Sequence, residues 1–125
     1  MNKDLVTVFE LWETNRGISR SELVPAIEDA LQKVAAELLG PYPNLRVRID
    51  PNTGDIAALT SLRAVERVRD EYHEIALSDA SRVKANARLG ELILVNVAPA
   101  SFGRTMSRHA KETLQMVLKE NRASG

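Results

Sequence analysis

The apolar residues change period twice along this chain, and that change restricts its fold more than any other feature. Leu5, Val6, Val8, Phe9 and Trp12 fall largely on one helical side, and Leu23, Ile27, Leu31, Val34 and Leu38 repeat at helical spacing. From Leu45 the period drops to two, with Leu45, Val47 and Ile49 alternating with Arg46 and Arg48. Beyond Phe102 helical spacing returns through Met106, Ala110, Leu114, Val117 and Leu118. With no regular strand-helix alternation, this order predicts an α+β fold rather than a doubly wound one.

Local signals mark the boundaries. A first helix over residues 3–14 stops at Asn15-Arg16-Gly17. Ser19-Arg20-Ser21-Glu22 has capping-box spacing, with Ile18 and Leu23 placed as a hydrophobic staple, and Gly40-Pro41 ends the second helix. Pro25 would fall in its second turn, so the helix either starts near Ser21 or bends. Asp50-Pro51-Asn52-Thr53-Gly54-Asp55 is turn chemistry and predicts a hairpin. Its return strand runs from Ile56 to about Val68, although Ala57, Ala58 and Leu59 break the alternation. Residues 74–77 form a short strand or a connection, and Ser78-Asp79 caps a short helix reaching about Lys84. Leu92 to Val97, bounded by Gly90 and Pro99, has the composition of a strand buried on both faces. A long helix follows from Arg104 to about Arg122. The expected architecture is two N-terminal helices, a small, mostly antiparallel sheet including the hairpin, a short helix and a long C-terminal helix.

At 44% hydrophobic residues, one domain over residues 1–125 can bury a core without disulfide or metal. Seventeen basic and 17 acidic side chains cancel, so any attraction to a polyanion must be local. Residues 1–44 carry four basic and seven acidic groups, whereas residues 100–125 carry five basic and two acidic. Absence of cysteine excludes thiol chemistry and thiolate metal sites. The acidic start Met1-Asn2-Lys3-Asp4-Leu5 and the lack of a long apolar run argue against a signal peptide or membrane association and for a cytoplasmic location.

Catalytic signals are missing as well. Gly40, Gly54, Gly90 and Gly103 suit turns and caps better than a phosphate cradle, and Asp50 and Asp55 bracket a turn. His73 and His109 lie in different elements, with no carboxylate or second histidine at ligand spacing. The expectation is a non-enzymatic protein with no catalytic residue, metal, cofactor or small-molecule substrate.

The last helix carries the most informative pattern. Arg104, Arg108, Lys111, Lys119 and Arg122 fall within about 80° of one another on a wheel of about 100° per residue, away from the apolar side. Such a row is either a solvated face or a rigid track for phosphates or an acidic surface.

Taken together, Met1 to Leu5, Ile18 to Val34 (ISRSELVPAIEDALQKV), Leu45 to Ile56 (LRVRIDPNTGDI), Glu74 to Ala80 (EIALSDA), Leu89-Gly90-Glu91 and Phe102 to Glu120 (FGRTMSRHAKETLQMVLKE) resemble the N-terminal domain of NusA, a bacterial transcription factor. The resemblance covers nearly the whole chain. It implies a domain that docks on the β-subunit flap of RNA polymerase at the RNA exit channel. There it would prolong hairpin-stabilised pauses and assist termination and antitermination, its basic face weakly engaging the nascent RNA hairpin. Arg104 and Lys111 match the family's FGR...AK segment and become the leading candidates for RNA-proximal contacts. The family often has lysines at the end of the second helix, where this chain has Ala36, Glu37 and Leu38, and Thr105-Met106-Ser107-Arg108-His109 also departs from its pattern. The resemblance further implies a piece of a longer protein, whose OB-fold and two KH domains would follow Gly125.

A flap-tip helix is amphipathic, so its receptor should offer apolar anchors. The candidates are Phe9 and Trp12 on the first helix, which read first as core with an exposed groove as the alternative, and Leu31, Val34 and Leu38 on the second. A free-standing RNA-binding domain and a dimerisation domain are the competing readings.

Overall fold

The computed structural model describes the backbone of residues 1–124 and the side chains of residues 1–114. Its elements are α1 (Lys3–Arg16), α2 (Arg20–Leu39), β1 (Arg46–Ile49), β2 (Ile56–Val65), β3 (Glu74–Ala76), α3 (Leu77–Val83), β4 (Leu92–Asn96) and α4 (Phe102–Ser124). The α+β class and the long last helix are as expected from the spacing of the apolar residues.

α1 starts at Asn2, whose Oδ1 accepts the Leu5 N–H at 3.3 Å, and ends at Gly17, whose left-handed φ of 65° lets its N–H reach Glu13 O at 3.2 Å. The capping box expected at Ser19 is not formed. The Ser19 hydroxyl lies 3.0 Å from that of Ser21, and only the Ser19 carbonyl engages the helix, accepting the Glu22 and Leu23 N–H groups. Pro25 lies inside α2, which starts at Arg20 and continues through it, leaving the Ser21 carbonyl without that helical donor.

β2 is the centre of the sheet. Leu59 pairs with both Arg46 and Asn96, and Arg63 with both Glu74 and Leu92. β1 and β3 therefore share one edge of β2 in tandem, and β4 takes the other. Only the β2–β3 pairing is parallel. Ile56, Ala58, Thr60, Leu62 and Ala64 are buried in strict alternation; of the residues that obscure the pattern in the sequence, Ala58 lies on this inner face and Ala57 and Leu59 on the outer one. There the first half of β2 and β1 meet α1, α2 and α4 around Leu5, Phe9, Ile27, Leu31 and Met106. The second half forms a smaller cluster of Ala64, Ile93 and Ala80 of α3. The outer edge of β1 is closed by α2 side chains: Glu28 Oε2 accepts the Ile49 N–H at 2.8 Å, and Gln32 Oε1 accepts the Val47 N–H at 3.0 Å.

Two sequence expectations need correction. β4 is covered on one face only: Ile93 is buried, whereas Leu92 and Leu94 are 58% and 60% exposed. All the helices that pack on the sheet do so on its other side. The short helix begins at Leu77, with Ala76 in the cap position, so Ser78-Asp79 lies in its first turn.

Candidate functional site

α4 is built to present two unlike faces. Phe102, Met106, Ala110 and Leu114 recur every four residues and are buried. Arg104, Arg108 and Lys111 point outward and are exposed. Spacings of four and three residues make these cations neighbours on the helix surface, where like charges cost about 0.2–0.5 kcal/mol per pair. Arg104 also sits in the first turn, where α4 has no acidic residue and a cation opposes the helix dipole at about 0.3–1 kcal/mol.

The row borders a concave surface of about 620 Å³ between the start of α1 and the start of α4. Lys3 lines it too, a cation that the wheel of α4 could not reveal because it comes from the other end of the chain. Two carboxylates in this hollow are matched: Asp4 lies 3.9 Å from Lys111 Nζ, and Asp55 lies 3.1 Å from the N-terminal ammonium. That ammonium, then the Thr53 hydroxyl, holds the Asp55 carboxyl below its usual range. Among the described residues, no carboxylate lies within ion-pair distance of Lys3, Arg104 or Arg108, leaving cations free for an anion. Lys119 and Arg122 belong to α4, but their side chains lie outside the described residues.

The hollow is held open by Asn2. Its backbone N–H donates to Thr53 O at 2.7 Å in the hairpin turn, and its side-chain amide donates to the Ser107 hydroxyl and, at 3.4 Å, to Gly103 O. Sequence reading gave Asn2 no role in this hollow, since its partners there lie more than fifty residues away.

The apolar docking candidates divide. Phe9 and Leu31 are fully buried and Trp12 is 9% exposed, so all three belong to the core. The helical repeat that suggested a groove is the repeat of a packed interface. Val34 is half-buried against the same cluster, and Leu38 is 55% exposed. Trp12 does reach the wall of a hollow of about 310 Å³ with Ile18, Leu23, Ile27 and Leu114.

His73 has a carboxylate that its sequence spacing did not suggest: Nδ1 lies 2.7 Å from Asp70 Oδ2 on the exposed turn before β3. Among the described residues, no group of three potential metal ligands occurs, and no helix is long and apolar enough to cross a membrane.

Comparison with known proteins gives consistent matches. A family model described as the NusA N-terminal domain matches residues 4–123. The transcription termination/antitermination protein NusA of Bacillus subtilis is 27% identical over 120 residues, covering 96% of this chain and 32% of that protein. NusA of Thermus thermophilus is 28% identical, covering 97% of this chain and 34% of that protein. The chain thus spans about a third of the length of these relatives. The solution structure of the N-terminal domain of NusA from B. subtilis superposes with a TM-score of 0.67 at 26% identity, covering 98% of this chain and 99% of that one.

Proposed function

The chain belongs to the NusA N-terminal domain family, and from that premise we propose that it is a non-enzymatic docking module of a transcription termination and antitermination factor. It binds RNA polymerase at the β-subunit flap and turns the start of α4 toward RNA leaving the exit channel. There it prolongs hairpin-stabilised pauses. The observation that carries this reading is the exposed row Arg104, Arg108 and Lys111, set against the helix dipole and joined by Lys3 around one hollow. A near-zero net charge fits weak RNA affinity, with polymerase supplying most of the binding and the row acting on RNA already held nearby.

The test is titration of the chain with an isolated β-flap fragment and, in parallel, with an RNA hairpin. Saturable flap binding with weak, salt-sensitive RNA binding supports the reading. Tight RNA binding without flap binding replaces it with a free-standing RNA-binding domain.

A further inference from the structure

The ion pairs of this chain are of two kinds. Arg20 Nη2 lies 2.6 Å from Glu13 Oε1 while its Nη1 donates to Pro51 O at 2.7 Å, so that pair is hydrogen-bonded, backed by the hairpin turn and only 22% exposed on the arginine side. Asp4 and Lys111 meet differently. Asp4 Oδ2 stands 3.9 Å from Lys111 Nζ, near enough for attraction and too far for a hydrogen bond, with side chains 80% and 45% exposed. Such a pair contributes little to folding. Its placement is nonetheless fixed, because Asn2 ties the start of α1 to Gly103 and Ser107 of α4, and Lys111 follows Ser107 by one helical turn. Of Arg104, Arg108 and Lys111, Lys111 alone has a carboxylate within ion-pair distance among the described residues, and the other carboxylate of the hollow, Asp55, faces the N-terminal ammonium.

We propose that Asp4 competes with RNA for Lys111: its carboxylate occupies this cation until linked phosphates anchored at Arg104 and Arg108 displace it. The exchange asks little of the protein. Asp4 lies in the first turn of α1, where a carboxylate suits the helix dipole with or without Lys111, and it is exposed enough to return to water. Lys111 gains by it, since a phosphate oxygen can accept a charge-assisted hydrogen bond that Asp4 at 3.9 Å does not. Arg104 and Lys111 stand about 10 Å apart along the helix axis, more than one phosphate can bridge. A lone anion held at Arg104 therefore leaves the Asp4 pair in place, whereas a phosphate chain running along the row reaches Lys111. Asp4 thus sets a threshold that favours RNA held along the row over anions dispersed in solution.

The inference rests on the reading of the row as an RNA contact. The test is the affinity for a labelled RNA hairpin, measured by fluorescence anisotropy at fixed salt, of the wild-type chain, Asp4→Asn, Lys111→Ala and the double variant, each verified as folded by circular dichroism. Asp29→Asn, which removes the same charge from an exposed position on α2, is the control. The expected result is binding tightened about two- to fivefold by Asp4→Asn, less by Asp29→Asn, and little changed by Asp4→Asn once Lys111 is replaced. A gain of equal size with and without Lys111 assigns the effect to net charge and overturns the proposal. Unchanged or weakened binding in Asp4→Asn, with binding still weakened by Lys111→Ala, overturns the proposal and leaves the RNA reading standing. Lys111→Ala that binds as the wild type does, or no RNA binding by the wild type, overturns the RNA role of Lys111 and the inference with it.

Discussion

The side-chain amide of Asn2 donates to the hydroxyl of Ser107, joining the first residues of the chain to the second turn of the cationic helix. The same side chain caps α1 through Leu5. Replacing it with alanine removes the cap and leaves the buried Ser107 hydroxyl without this donor. Asn2→Ala should therefore lower the unfolding free energy by about 1–3 kcal/mol, measured by urea denaturation. Ser107→Ala should cost less, because the Asn2 amide retains its bond to the Gly103 carbonyl.

Gly54 is fixed twice over. Its φ is 73°, and a Cβ there would stand 2.5 Å from Asn2 O. Gly54→Ala must strain the turn and push the N-terminus off the hairpin. A loss of about 1–3 kcal/mol is expected in the same denaturation experiment, together with NMR shift changes at Asn2 and Ser107 that a purely local strain would not produce.

Asp55 reports on the same junction by its ionisation. Its folded carboxyl is held below the ordinary 3.8, mainly by the N-terminal ammonium and then by Thr53. A depressed carboxyl contributes stability above the unfolded value and loses it as pH falls through the lower folded value. Acetylating the N-terminus should move the Asp55 midpoint back up toward 3.8, read by carboxyl-carbon NMR. Glu91, held below 4.5 chiefly by Lys84, should rise in the same way in Lys84→Ala and stay unmoved by acetylation.

Patterns that depend on neighbouring residues were legible in the sequence, and those that depend on distant partners were not. The spacing of Leu23, Ile27 and Leu31 and the Asp50–Asp55 turn locate α2 and the hairpin because a helix repeat and a turn are local properties. β2 was blurred because Ala58 on the inner face carries no more hydrophobic signal than Ala57 on the outer one, where Leu59 also lies. In β4 the run Leu92 to Val97 suggests two buried faces, but composition cannot say whether a second layer exists, and among the described residues Leu92 and Leu94 stay exposed. The helical repeat of Phe9 and Leu31 was likewise visible, while the choice between core and groove required α4, whose Met106 and Ala110 join the same cluster. For the candidate site, Arg104, Arg108 and Lys111 were legible as one row, but Lys3 joins them only through the Asn2 bonds to α4 and the hairpin.

If the row serves RNA, it is held at a cost to the helix. Arg104→Ala should raise stability by about 0.3–1 kcal/mol by relieving the dipole and the Arg108 repulsion. The same change should weaken RNA binding. Arg104→Ala/Arg108→Ala should lower the slope of log affinity against log salt by about 1.4–1.8, the loss of two phosphate contacts. An unchanged slope would identify the row as a solvated face.

The central claim separates docking from action on RNA, and the most direct test measures both in one pair of proteins. The lifetime of a hairpin-stabilised pause is followed on polymerase saturated with the wild-type chain or with Arg104→Ala/Lys111→Ala, alongside the affinity of each for polymerase. The account predicts near-equal affinity, with the pause prolonged by the wild type and much less by the variant. Equal loss of docking, or a pause prolonged equally by both proteins, would contradict it.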